Sequence, residues 1–283
     1  MGRELERIGA PFRQPEWSAL ALIETPDMVT QTHQNFIDAG AQIITTNAYA
    51  VIPHHIGEER FKSDGRKLIR LSAEIASKVA EKNRVKVAGC IPPLFGSYLP
   101  DQFDERRVDN ILMPFIEEQD DAIDQWIIET VSSTQEAITI GSKLSKHTNK
   151  HIWLSFTTHR IDKDHITLRH GNYIDQAITE LLDYLIPDAI LLNCCDPFDV
   201  LDGLKIIRKT CPDIPCGAYA NNFASNDKRT EGSNKVITKL NSAITPEIYA
   251  DLSQTWVDAG ATIIGGCCGI GPDHISALAK KFT

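Results

Sequence analysis

The segment Asp38-Ala-Gly-Ala-Gln-Ile-Ile44 returns far downstream as Asp258-Ala-Gly-Ala-Thr-Ile-Ile264, with a single residue changed. Each copy follows the same helix opening, Thr25-Pro-Asp27 in one case and Thr245-Pro-Glu247 in the other. Such an opening combines a side-chain cap, a proline at the first helical position and an acid at the positive end of the helix dipole. Met28, Val29, Phe36, Ile37 and Ala39 recur at helical spacing until Gly40 stops the first helix; Trp256 and Val257 lie near the end of the second, before Gly260. Short apolar strands at 41–47 and 261–265 come next. A helix–Gly–strand unit that recurs across the chain is what a fold of repeated β/α units leaves in its sequence.

The intervening residues supply more such units. Mainly apolar stretches at 85–90, 126–129, 152–156, 189–193 and 214–219 predict strands, followed by helices near 109–124, 133–147, 172–184, 197–210 and 245–259. Helices at 58–83 and 272–282 follow the first and last strands. This alternation predicts a parallel sheet with helices outside it. Seven strands and eight helices in 283 residues suit a single-domain (β/α)₈ TIM barrel over 1–283, and no glycine-rich dinucleotide fingerprint favours a doubly wound sheet.

An eighth strand should precede the first helix, but 1–24 contains no clear one, and the charged Met1-to-Arg7 stretch reads as a loop or helical turn. The expectation is therefore a barrel lacking its first β-strand, the chain starting inside the first βα loop or the barrel having a gap. Two strand edges are then open to pairing, so a homo-oligomer is possible.

Net charge is −9, with no run of Lys or Arg, which argues against nucleic acid and anionic membrane surfaces as partners. Charged residues interrupt the first thirty positions, leaving no signal-peptide core or membrane span, so a cytoplasmic location is expected. Seven cysteines in a chain of this size read as reduced thiols or metal ligands, not as a disulfide framework. Cys90, Cys211 and Cys216 show no partner pattern and read as ordinary thiols.

The remaining four are placed differently. The last strand stops at Gly265-Gly266 and presents Cys267-Cys268-Gly269, while the run at 189–193 ends in Cys194-Cys195. Thiols at two strand ends of a parallel sheet emerge at one face, where barrel enzymes keep their sites, together with Asn47, Glu129 and Asn193. Two long connections, 91–108 and 220–243, also follow strands and join that face.

Three thiolates without a matching histidine suit zinc, a soft, redox-inert tetrahedral ion, with a fourth position open. A centre so rich in negative charge makes hydroxide poorly, but it lowers the pKa of an incoming thiol from about 8.5 while keeping the sulfur nucleophilic.

The chain resembles the zinc-dependent, cobalamin-independent homocysteine S-methyltransferase family along nearly its whole length. The resemblance rests on Met1-Gly-Arg-Glu-Leu5, Trp17-Ser18, Ala39-Gly-Ala41, Ile44-Thr-Thr-Asn-Ala-Tyr49, Val87-Ala-Gly89, Glu129-Thr130, Ser155-Phe156, Asn193-Cys194, Tyr219-Ala-Asn221 and Gly265-Gly-Cys-Cys-Gly269. It implies that Cys194, Cys267 and Cys268 hold zinc, that Cys195 fills a small-residue position, that Glu129 binds the substrate amino group, and that Asn47 and Asn193 contribute more weakly. The implied reaction moves a methyl group from S-methylmethionine, betaine or S-adenosylmethionine to homocysteine, forming methionine. Tyr49, Phe95, Tyr98 and Tyr219 offer aromatic faces to a cationic donor.

Two departures stand out. Relatives carry a strand ending in Asp-Gly before the Met-Gly of this chain, and many have Ser-Xaa-Gly-Pro where Cys90-Ile-Pro-Pro-Leu-Phe-Gly96 lies. The alternatives are a methyltransferase for another thiol or selenol, and a non-catalytic zinc-binding or redox-sensing protein.

Overall fold

A computed structural model describes residues 1–223 and 239–283. Most of the 220–243 connection therefore lies outside the described residues. Nine strands are described: β1 Ile43–Thr45, β2 Lys86–Ile91, β3 Gln125–Val131, β4 Ile152–Phe156, β5 Thr158–Arg160, β6 Ile166–Leu168, β7 Ala189–Asn193, β8 Cys216–Tyr219 and β9 Ala261–Ile264. Seven form one parallel sheet in the order β1-β2-β3-β4-β7-β8-β9, and β5 with β6 makes a separate antiparallel hairpin.

The helices are α1 Gly2–Arg7, α2 Ser18–Glu24, α3 Pro26–Asp38, α4 Pro53–Ile56, α5 Glu58–Asn83, α6 Val108–Gln119, α7 Thr134–Leu144, α8 Ile174–Leu182, α9 Val200–Thr210, α10 Pro246–Asp258 and α11 Pro272–Phe282. Helices α3, α5, α6, α7, α9 and α10 pack on the sheet, while α1, α2 and α4 pack on other helices. The main core is the shell between helices and strands, containing Ile69, Phe115, Trp126, Leu154, Ile190 and Leu204. A smaller cluster of Ala88, Ile127, Ala189 and Leu191, with Ile43, Trp153, Tyr219 and Ile263 against it, draws on all seven strands and marks the inner face.

Among the described residues, β1 pairs with β2 alone and β9 with β8 alone. The inner sheet is thus an open ring. The helices close it on the outside, since α11 packs on α3 and the Gly40 turn approaches α11 so closely that an added Cβ would lie 2.6 Å from the Cβ of Ala279.

Local differences from the sequence expectations have physical causes. Thr25 makes no side-chain cap on α3, because it also ends α2: its amide donates to the Ala21 carbonyl at 2.8 Å and its hydroxyl to the same oxygen at 3.3 Å. Thr245 does cap α10, its hydroxyl accepting from the Ile248 amide at 3.3 Å. The stretch read as a loop or helical turn at Met1 to Arg7 contains α1, tied inward by the buried Glu4, which accepts from Arg7 and Asn35. The predicted strands at 41–47 and 214–219 shrink to three and four residues, while β3 extends over seven. No described helix is long and apolar enough to cross a membrane.

Candidate metal centre

Parallel pairing brings the C-terminal ends of β7, β8 and β9 side by side, and the ladder continues past the strands. The Cys194 amide donates to the Tyr219 carbonyl at 3.3 Å, the Asn221 amide to Cys195 at 3.1 Å, the Cys267 amide to Ala220 at 2.9 Å and the Asn222 amide to Cys268 at 2.8 Å. Two cysteine turns are thereby fastened on either side of the segment after β8. Their three sulfurs, from Cys194, Cys267 and Cys268, all lie within 4.8 Å of one another.

The glycines around the second turn serve different ends. A Cβ on Gly266 would meet Ile270 Cγ2 at 2.1 Å, so glycine is needed there for the approach of the turn's own side chain; Gly269 has a φ of +82°, which favours glycine. Cys194 itself takes a φ of +51°, as Thr130 (+62°) and Tyr98 (+64°) do nearby. Left-handed backbone at non-glycine residues costs of order 1–3 kcal/mol each and persists where surrounding contacts enforce it.

The sulfurs are spaced for a tetrahedral metal. Cys194 and Cys268 Sγ are 3.8 Å apart and Cys267 and Cys268 Sγ 4.0 Å, against about 3.8 Å for sulfurs sharing a zinc at bonds of about 2.3 Å. Hydrogen bonding among the sulfurs, followed by burial, holds the Cys267 thiol well above its usual range; the bond with Cys194 is the leading cause that pushes Cys268 up to about 12. Thiols crowded in this way shed their protons readily only when a cation neutralises the sulfurs. Cys195 is buried beside them, and burial pushes it up to about 12, leaving it an inert neighbour.

Glu129 lies where the β3–β4 register shifts between Ile128 and Val131. A bulge of this kind re-aims a side chain at a sheet's functional rim. Two residues beyond Ile127 of the inner cluster, Glu129 belongs to the inner face. Its carboxylate accepts from Cys90 Sγ at 3.1 Å and from the Tyr219 hydroxyl at 3.3 Å. Burial pushes its pKa up to about 7 despite those donors.

The two asparagines have internal partners. Asn193 accepts from the Thr130 amide and the Ser155 hydroxyl, each at 2.8 Å, and donates to the Thr130 hydroxyl at 2.8 Å, clasping three strand ends beneath Cys267. Asn47 donates to the Ser18 carbonyl at 3.1 Å, fastening the turn after β1 to α2.

Cys90, read from sequence as an ordinary thiol, is the partner of Glu129; its position at the end of β2, beside β3, was the signal for this. Tyr98, from the 91–108 connection, donates its hydroxyl to Cys194 Sγ at 2.7 Å. A cavity of about 1340 Å³ includes Asn47, Tyr49, Tyr98, Glu129 and the three clustered cysteines in its walls. It exceeds the usual 300–1,000 Å³ of a small-molecule pocket because it continues between β1 and β9.

The family model for homocysteine S-methyltransferase matches residues 1–282. The chain belongs to the homocysteine S-methyltransferase family. Among family relatives it is 27% identical to homocysteine S-methyltransferase YbgG of Bacillus subtilis (strain 168), covering 99% of this chain and 91% of that one. It is 26% identical to a selenocysteine methyltransferase of Astragalus bisulcatus, covering 100% and 90%. The crystal structure of the Escherichia coli homocysteine methyltransferase MmuM in its oxidized form shares the fold, with a TM-score of 0.80 at 24% identity over 99% of this chain and 93% of that one.

Proposed function

We propose that residues 1–283 act as one barrel domain that transfers a methyl group from a methyl-onium donor to the thiol of L-homocysteine, giving methionine, with zinc held by Cys194, Cys267 and Cys268. The observation that carries this reading is the three-sulfur cluster in the wall of the cavity that also contains Glu129. Zinc bound there supplies a cationic centre that favours the deprotonated, nucleophilic form of the substrate thiol.

The chain's own residues do the rest. Glu129, once ionised, anchors the substrate ammonium group, and its donors Cys90 and Tyr219 fix which way the carboxylate faces. Asn193 holds the end of β7 to β3 and β4, so the thiol and the anchor keep a constant separation. Tyr98 of the 91–108 connection lies against Cys194, the buried one of the three clustered cysteines, while Cys267 is half-buried and Cys268 exposed. The new S–CH3 bond forms as the donor's bond to that methyl breaks, and the donor leaves as a neutral thioether or amine. Seven free thiols suit a reducing, cytoplasmic setting.

A selenol acceptor is the second reading, favoured by the similarity to the Astragalus bisulcatus selenocysteine methyltransferase. Purified protein should contain one zinc per chain and methylate homocysteine with S-methylmethionine, betaine or S-adenosylmethionine. Cys267→Ser should lose both zinc and turnover while keeping its helical circular dichroism. Zinc-free protein with full turnover overturns the mechanism, and faster methylation of selenocysteine selects the second reading.

A further inference from the structure

If zinc sits on the three cysteines, as proposed above, the methyl donor meets several sulfurs around one centre, and only the substrate's should react. A lapse would form an S–CH3 bond on a cysteine ligand as the donor's bond to its methyl breaks, the electron pair leaving with the neutral donor remnant. The enzyme would then be alkylated at its own metal site. The structure treats the three ligand sulfurs unequally.

Cys194 Sγ takes the Tyr98 hydroxyl at 2.7 Å, and the same hydroxyl lies 3.4 Å from the Cys194 carbonyl. Cys267 meets an Asn193 amide at 4.0 Å and the sulfurs of Cys194 and Cys268, and Cys268 meets only the other two sulfurs among the described contacts, so neither takes a hydroxyl. Tyr98 is held firmly for this task. Its backbone is left-handed, and the Arg169 guanidinium, just beyond the β5–β6 hairpin, sits 4.6 Å from the centre of its ring. A cation over a phenol ring withdraws electron density and strengthens the hydroxyl as a donor.

We propose that Tyr98 is a positioning residue that suppresses the nucleophilicity of the Cys194 sulfur and so directs the methyl group to the substrate thiol. A hydrogen bond to a thiolate draws charge from the sulfur, and neighbours of metal ligands tune reactivity in this way. Through Arg169, the hairpin that stands apart from the main sheet takes part in setting the chemistry of the site.

The test uses whole zinc-loaded protein without homocysteine, treated with S-methylmethionine or iodomethane, with methylated cysteines mapped by mass spectrometry. Zinc content of the unmodified chain is measured first; absence of zinc overturns the metal reading and this inference together. With zinc present, Tyr98→Phe keeps the ring and should methylate Cys194 about tenfold faster, while Cys267 and Cys268 are unchanged. A fluorinated tyrosine at position 98, a stronger donor of the same shape, should bring the rate below that of the unmodified chain. In cobalt-substituted protein, Tyr98→Phe should move the thiolate-to-metal charge-transfer band to lower energy. Equal Cys194 methylation rates with an unmoved band overturn the role of Tyr98 and leave the metal reading intact.

Discussion

Burial pushes the Glu129 carboxyl up to about 7, so the group proposed above as the anchor for the substrate ammonium is half neutral near pH 7. Only the ionised form pairs with that ammonium, so homocysteine affinity should rise as pH increases through about 7 and level off above it. Glu129→Gln removes the charge but keeps the shape; KM for homocysteine should rise about tenfold or more and lose this pH dependence, as initial-rate kinetics across pH would record. Gly266 makes a different demand at the same scale. Gly266→Ala places a methyl group 2.1 Å from Ile270 Cγ2, and the turn carrying Cys267 and Cys268 must shift. Overpacking of this kind costs about 1–3 kcal/mol, and metal content should fall well below one per chain, measured by elemental analysis beside a denaturant melt.

Elements are held by caps that the sequence displays unevenly. In α7, Ser133 accepts from the Glu136 amide at 3.2 Å while Glu136 accepts from the Ser132 amide at 2.8 Å, a reciprocal cap buried in the protein. Burial raises the Glu136 carboxyl to about 7 even against those amide donors. A carboxyl whose folded pKa exceeds its unfolded value binds more protons when folded, so its contribution is complete below about 4.5 and is lost as pH rises through about 7. Glu136→Gln mimics the protonated form; urea melts at about pH 5 and pH 8 should show a decline in stability smaller by roughly 2–3 kcal/mol than in the parent chain.

The same unevenness explains which elements could be read in advance. The Pro-acid openings and the Gly40 and Gly260 stops announce α3 and α10 because each of these residues acts locally, whereas Thr25 is shared with the end of α2. The β5–β6 hairpin escapes notice because its strands are three residues long and its turn relies on Asp162, which accepts from the Asp164 and His165 amides instead of using glycine. Helix α2 spans only seven residues, and its final turn merges into Thr25.

For the whole molecule, the alternation of strand and helix carried the fold, and matching strand ends carried the sulfur cluster. What could not be read were contacts between chain-distant residues: Cys90 with Glu129, Tyr98 with Cys194, and Asn193 with Thr130 and Ser155. These depend on register shifts and left-handed residues, which leave no periodic trace. At this scale, stripping metal with a chelator should lower the melting temperature by several degrees, and zinc should restore it, because a ligand bound only by the folded chain adds its binding free energy to stability. Calorimetry with and without zinc checks this.

The open inner ring gives that prediction a mechanical meaning. Strand β9, fastened on one side only among the described residues, leads into two of the three sulfurs; β7, gripped by neighbours on both sides, leads into the third. A cation shared between them would act as a rivet across β8, coupling an edge strand to one paired on both sides. Catalytic competence and the rigidity of the rim would then be set by a single joint, and loosening it would be felt first as slack in the C-terminal β9–α11 unit.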